Sequence, residues 1–315
     1  MAKEKREVGE KMILEGKQKE DVIVYEASKD DDQCSIKDVL RKKLNISSRL
    51  LTKLKKNKSI FINNSYVKYH QLVSNGDIIK VVMTEKPSQF EAEDIPFNIV
   101  YEDVDVIIVD KQPGIVTHPT KSHFTGTIAN AAQYYLDKKA MNCRIRFVNR
   151  LDMDTSGLLI IAKNPYTHHV LSEQMKEDQV EKRYIAFVEG VIENDWDTIN
   201  EAIYRPTDDA VKRVVDPRGQ QSITKYKVLE RYRNATLIEV QLLTGRTHQI
   251  RVHMHHLGHP LIGDHLYGQT SDLINRQALH ANYLKFLQPR YREAVEVKAS
   301  LPKDLIELQE KLRKS

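Results

Sequence analysis

Apolar residues recur at helical spacing in two short stretches near the start of the chain and at strand spacing in longer stretches further on. Ile36, Val39, Leu40 and Leu44 share one helix face, and Ser35 with Asp38 predicts an N-terminal cap for it. Leu50, Leu51 and Leu54 form the stripe of a second helix, with Ser47 or Ser48 as its cap. The opposite face of this helix carries Arg49, Lys53, Lys55 and Lys56. Short strands are predicted at Asp21 to Glu26, Ile60 to Ile62 and Ile78 to Met83, with turns at Asp30 to Gln33 and Asn63-Asn64 and a loop from Leu72 to Asp77. Met1 to Glu20 is polar and reads as a loosely held tail. Glu85 to Pro96 is acidic and bounded by prolines, which marks a linker. Beyond it, Val106 to Val109 and Leu158 to Ala162 are continuous apolar runs. Tyr184 to Val188, Thr224 to Leu229 and Leu237 to Leu243 read as further strands. Helices are predicted over Thr125 to Lys138, from Pro165 to about Lys176, and over Arg246 to Leu257. Strand and helix alternate too irregularly for a doubly wound sheet. The expectation is an α+β chain: an extension (1–32), a small α+β domain (33–85), a linker (86–96), and a body (97–310) with a large mixed, mostly antiparallel sheet flanked by helices.

Composition narrows the classes. The 315 residues are 40% hydrophobic and 30% charged, as expected of a globular chain of about two domains. Two cysteines, Cys34 and Cys143, exclude a disulfide-rich scaffold and a four-cysteine metal site. No apolar run reaches the length of a membrane span, and the polar start is unlike a signal peptide, so the expected location is the cytoplasm. The net charge of +5 is unevenly spread. Ile36 to Val81 holds 11 Lys and Arg against 2 Asp and Glu, a net of +9, which leaves the rest at −4. A compact basic module points to nucleic acid, with Arg41, Arg49, Lys53 and Lys56 as candidate phosphate contacts. The alternative is a merely solvated helix face.

Three stretches concentrate chemistry-bearing side chains. Asn149-Arg150-Leu151-Asp152-Met153-Asp154-Thr155-Ser156-Gly157 places two carboxylates in a turn ahead of a buried strand. There an aspartate either faces a cleft from a rigid element or only caps the turn. Glu181-Lys182-Arg183-Tyr184 opens a strand. Leu243 to Gly268 contains Arg246, Thr247, His248, Gln249 and Arg251, together with six of the chain's 12 histidines. Arginines among those imidazoles would repel a metal ion and suit phosphates and bases instead, so no metal is expected. No dinucleotide fingerprint, P-loop, nucleophile elbow or zinc-protease string occurs.

These stretches resemble the RluA-type family of pseudouridine synthases. Asn149 to Lys163 follows the family's H-R-L-D-x-x-T-S-G-x-x-x-x-A-K at every fixed position but the first, where Asn149 replaces His. Lys111-Gln112-Pro113-Gly114 through His118, Lys182-x-Tyr184-x-Ala186-x-Val188-x-Gly190, Thr244 to His253, Gly258 to Gly268 and Ala278-Leu279-His280-Ala281 are similar to further family motifs. Gln288-Pro289 stands where a His-Pro pair is common. The basic module resembles the S4 RNA-binding domain.

The resemblance implies isomerisation of uridine to pseudouridine in structured RNA without a cofactor. Its expected substrate is large-subunit (23S) ribosomal RNA, with transfer RNA as the competitor. Asp152 is implied as the catalytic carboxylate, Arg246 as its ion-pair partner and Tyr184 as the aromatic residue against the base. Arg150, Asn149, His118, Thr155, His248, Gln249 and Arg251 are implied as contacts for the RNA or the flipped nucleotide, with Arg251 on phosphate. A monomer acting on RNA, with no membrane partner, is expected. Two other classes stay open at this point. One is a non-catalytic RNA-binding or ribosome-assembly factor. The other is a magnesium-dependent phosphatase using the Asp152-Met153-Asp154-Thr155 string, which would lose activity to a chelator.

Overall fold

The computed structural model describes residues 19, 21–86, 88–120 and 123–314. Apart from Lys19, the predicted tail lies outside the described residues, as does Pro87 of the predicted linker.

The small domain begins earlier than the sequence suggests. Strand β1 (Val22–Glu26), placed by the sequence in an extension, pairs antiparallel with β4, so this segment belongs to the domain. Helix α1 (Ile36–Lys42) starts at Ser35, whose hydroxyl accepts from the Asp38 amide. Helix α2 (Ser48–Lys56) is capped by Ser47 and buries Leu50, Leu51 and Leu54. Strands β2 (Ile60–Ile62) and β3 (Ser65–Tyr66) form a hairpin. Its turn residues, Asn63 and Asn64, both adopt left-handed backbone, which asparagine tolerates better than most side chains. Strand β4 (Ile78–Val82) completes a sheet of order β1-β4-β2-β3.

The body contributes β5 (Asn98–Glu102), β6 (Val106–Lys111), α3 (Ile128–Lys138), β7 (Arg146–Phe147), β8 (Ser156–Ala162) and α4 (Pro165–Lys176). There follow β9 (Glu181–Glu189), β10 (Trp196–Asn200), β11 (Ile203–Tyr204), β12 (Val214–Val215), β13 (Ile223–Arg231) and β14 (Ala235–Leu242). The chain closes with α5 (Gln249–His256), β15 (Leu279–Leu287), β16 (Ala294–Lys298) and α6 (Lys303–Lys314). Among the described residues the main sheet runs β10-β13-β14-β9-β15-β8-β6-β5, with β16 beside β15 and β7 beside β8. Its pairings are antiparallel except at the centre, where β15 lies parallel to β8. Gly157 makes that seam possible. Its φ is +112°, and a Cβ there would meet the Ala281 carbonyl oxygen at 2.2 Å.

The two domains share packing. Tyr166 and Val170 of α4 belong to the apolar core of the small domain. Arg290, fully buried, donates through Nε to Asp105 (2.8 Å) and through Nη1 to the Val22 carbonyl (2.6 Å). Gln288, in the place of the common His, donates to Asp105 at 2.8 Å. The predicted linker has no helix or strand, yet it is fastened to the body. Glu85 pairs with Lys53 on one side and Arg146 on the other, Glu93 accepts from the Gly126 amide, and Phe90 packs on the body's core.

Candidate active site

Asp152 sits on the loop 148–155, between β7 and β8. Four successive carbonyls of this loop each accept a hydrogen bond. Leu151 accepts from Thr117 Oγ1 (3.2 Å), Asp152 from the Thr155 amide (3.1 Å), Met153 from Lys111 Nζ (2.8 Å) and Asp154 from Arg276 Nη1 (3.0 Å). Arg276 is in turn fixed by two bonds to Asp304 of α6, at 2.6 and 3.0 Å. A loop held at consecutive peptides can present a side chain with little freedom. Lys111 also donates to the carbonyls of Gln112 (2.9 Å) and Ile115 (3.0 Å). Burial pulls its amine down to about 7 against the opposing charges of Asp154 and Asp152.

The arginine facing Asp152 is Arg251, which donates from Nη1 to Oδ2 at 3.0 Å. Its Nε and Nη2 form a two-pronged pair with Asp264 at 2.7 and 2.8 Å. Burial would raise the Asp264 carboxyl, but the bonds and charge of Arg251 hold it below the usual carboxylate range. The same carboxylates keep Arg251 firmly protonated despite burial. This corrects the expected pairing of Asp152 with Arg246. Arg246 lies in the loop before α5, is exposed, and donates from Nε to the Gln221 carbonyl at 3.3 Å. Arg251 lies on the buried face of α5 beside Ile250 and Met254. It is not placed for the phosphate contact the sequence suggested, because both ends of its guanidinium are taken by carboxylates.

Asp152 opens onto a cleft of about 630 Å³ whose walls include His118, Arg150, Tyr184, Arg246 and His248. Tyr184 is buried on β9. Burial, reinforced by the Asp152 charge, raises its phenol well above the ordinary tyrosine value, so it stays neutral. His248 has left-handed backbone (φ 59°) at the start of α5. Its Nδ1 meets the Tyr267 hydroxyl at 2.9 Å, and its Nε2 is 3.8 Å from Asp152 Oδ2. Burial lowers its pKa despite the opposing pull of Asp152, which favours a neutral ring. His118 packs edge-on against Phe147.

Several of the expected RNA contacts also make bonds within the protein. Asn149 pairs like an extra strand, accepting from the Ile160 amide (2.8 Å) and donating to the Leu158 carbonyl (3.2 Å). Buried Gln249 bonds Thr244, the Arg246 amide, Ile223 and Thr224. Thr155 is buried and accepts from Gln277 at 3.2 Å. Arg41, Arg49, Lys53 and Lys56 are exposed on the small domain, none of them lining the cleft. Among the described residues no group of three or more His, Cys, Asp or Glu is arranged to hold a metal ion. His253 and His259 are bonded to main-chain carbonyls of Glu201 and Glu189.

The sequence reading missed Lys111, Asp264, Arg276 and Asp304 as members of the site. A signal existed for Asp264: an arginine on the apolar face of a helix needs a buried acid, and the Gly263-Asp264 string supplies one.

Comparison with known proteins agrees with this geometry. Residues 105–256 match the RNA pseudouridylate synthase family model, and residues 25–79 match the RluD ribosomal pseudouridine synthase N-terminal domain. An uncharacterized RNA pseudouridine synthase of Bacillus subtilis, YjbO, is 38% identical across 84% of this chain and 95% of its own. Ribosomal large subunit pseudouridine synthase D of Haemophilus ducreyi is 36% identical across 81% of this chain and 85% of its own. The solved structure of human RNA pseudouridylate synthase domain containing 1 superposes with a TM-score of 0.55 at 29% identity, covering 73% of this chain and 98% of that one. With Asp152 and Tyr184 in one cleft, buried Arg251 bonded to Asp152, and relatives matched over most of their length, the chain belongs to the RNA pseudouridine synthase family.

Proposed function

We propose that this enzyme converts uridine to pseudouridine in large-subunit ribosomal RNA, with Asp152 as the reacting carboxylate. The observation that carries the chemistry is the Asp152–Arg251 contact at 3.0 Å on a loop bonded at four successive peptides. The uridine enters the cleft flipped out of its stack. Asp152 serves as nucleophile toward the ribose, Arg251 holds it in place, and the neutral Tyr184 ring lies against the base. The uracil leaves its sugar through nitrogen, turns and rejoins through carbon, displacing Asp152; the nitrogen gains a proton and the carbon loses one, so the atoms of the RNA are conserved. Ribosomal RNA as the substrate rests on relatives such as the Haemophilus ducreyi enzyme. It brings with it a cytoplasmic location.

The test is a pseudouridine map of total RNA from cells with and without the gene, and from cells carrying only Asp152→Asn. Loss of the same large-subunit sites in the last two is expected. Sites lost from transfer RNA instead would overturn the substrate, and sites retained with Asp152→Asn would overturn the role of Asp152.

A further inference from the structure

A second groove, of about 490 Å³, opens beside the catalytic cleft and has no part in the chemistry described above. Arg150, Arg213 and Arg246 line both concavities, so the two are continuous. Arg205 and Arg218, from the segment around β11 and β12, line the groove but not the cleft. Main-chain carbonyls orient several of these side chains without neutralising them. Arg205 donates to Ala210, Arg213 to Ala210 and Val211, and Arg246 to Gln221. Arg218 forms a two-pronged ion pair with Asp216, and its guanidinium lies over the Tyr204 ring at 4.6 Å. Arg218 thus has a carboxylate partner, but among the described residues the other four guanidinium groups around this concavity have none, and they repel each other unless anions lie among them.

We infer that this groove binds the phosphodiester backbone of the RNA strand leading into or out of the flipped nucleotide. A nucleotide drawn into the cleft stays joined to its neighbours, so its strand must pass the rim, and the rim shared with the groove carries three arginines. Arginine's planar fork suits phosphate oxygens, and orientation by carbonyls reduces the freedom lost on binding. This reading rests on an RNA substrate but not on which RNA is modified.

The test uses the full-length enzyme and a labelled large-subunit ribosomal RNA hairpin that holds one candidate target uridine. A second RNA is trimmed to one nucleotide on each side of the target. Arg205→Ala with Arg218→Ala is compared with Lys303→Ala with Lys311→Ala, which removes equal charge from exposed positions of α6. On the hairpin, the arginine pair should weaken binding about 10-fold near 0.1 M salt. It should also flatten the dependence of log K on log salt by about 1.4, two single-strand phosphate contacts at about 0.7 each. On the trimmed RNA it should change affinity less than 2-fold, and the lysine pair should leave the salt slope unchanged. Equal flattening by both pairs, or an equal loss on both RNAs, would overturn the groove as a strand site. Affinity is read without turnover, so a hairpin that binds as expected but gains no pseudouridine would sink the substrate assignment alone.

Discussion

The division of labour between two arginines five positions apart shows how much one helix turn decides. Arg251 joins Asp152 to the fully buried Asp264. Arg251→Ala should cost about 3 kcal/mol or more in stability, since it leaves a buried charge unpaired. It should also slow the saturating single-turnover rate by at least about 10²-fold, roughly 2.7 kcal/mol. Arg251→Lys should recover only part, because a point charge cannot reproduce the fork. Arg246→Ala should keep its fold and weaken RNA affinity more than the saturating rate; the reverse pattern in urea melts and single-turnover assays would return the pairing to Arg246. Lys111 supplies a pH signature. Burial opposes its ammonium, the charges of Asp154 and Asp152 favour it, and the balance places titration at about 7. From there up to the ordinary lysine value near 10.4, the unfolded chain binds a proton that the folded chain lacks. Stability from this residue therefore rises with pH. Between pH 7 and 9, urea melts of the wild type should gain about 2 kcal/mol more than those of Lys111→Met. Equal gains in the two proteins would show that Lys111 titrates outside that window.

At the level of elements, the seam between β8 and β15 orders the site, because β8 directly follows the Asp152 loop. Gly157→Ala forces a Cβ into the Ala281 backbone at a positive φ. It should lower stability by about 3 kcal/mol or more, seen as a lower urea midpoint, with activity lost in parallel. A near-neutral effect would mean that the strands can part there without consequence. The same seam shows what the sequence could reveal. Strands β6, β8, β9, β13 and β14 were legible because their apolar runs or alternation announce a sheet. Strand β15 was not predicted, although it fills the centre of the sheet, because Leu279 to Leu287 interrupts its apolar residues with His280, Asn282 and Lys285. His280 is accommodated by Ser156 at 2.9 Å, and such a pairing is set by tertiary structure. Asp152 and Tyr184 were legible through their motifs. Arg251 was expected on phosphate and Arg246 beside Asp152, because two arginines share one string and only the helix phase tells them apart. The irregular backbone of the linker was legible in its prolines and acids, whereas its fastening to the body was not, because those residues look the same whether or not the body holds them.

Across the whole molecule, the basic small domain is packed on the body through Tyr166, Val170 and the Arg290–Val22 contact. Removing residues 1–84 keeps Glu85 beside Arg146 but uncovers Tyr166 and Val170. The truncated enzyme should melt at a lower temperature than the full chain. Its RNA affinity should depend less steeply on salt, by roughly 0.7 to 0.9 for each phosphate that the small domain had neutralised. An unchanged melting temperature would show that the shared core adds no stability, and an unchanged salt slope would free the basic helix of any role in holding RNA. The Arg290–Val22 bond joins residues 268 positions apart. A chain made from its N-terminus at about 5–20 residues per second completes the small domain's strands long before Arg290 exists. The domain that is synthesised first can meet Tyr166 and Val170 midway through synthesis, but it gains its last fastening only when the chain is nearly complete. Until Leu279 to Leu287 emerges, the β15 slot between β8 and β9 has no strand to fill it. The centre of the main sheet is thus among the last parts of this protein to be made.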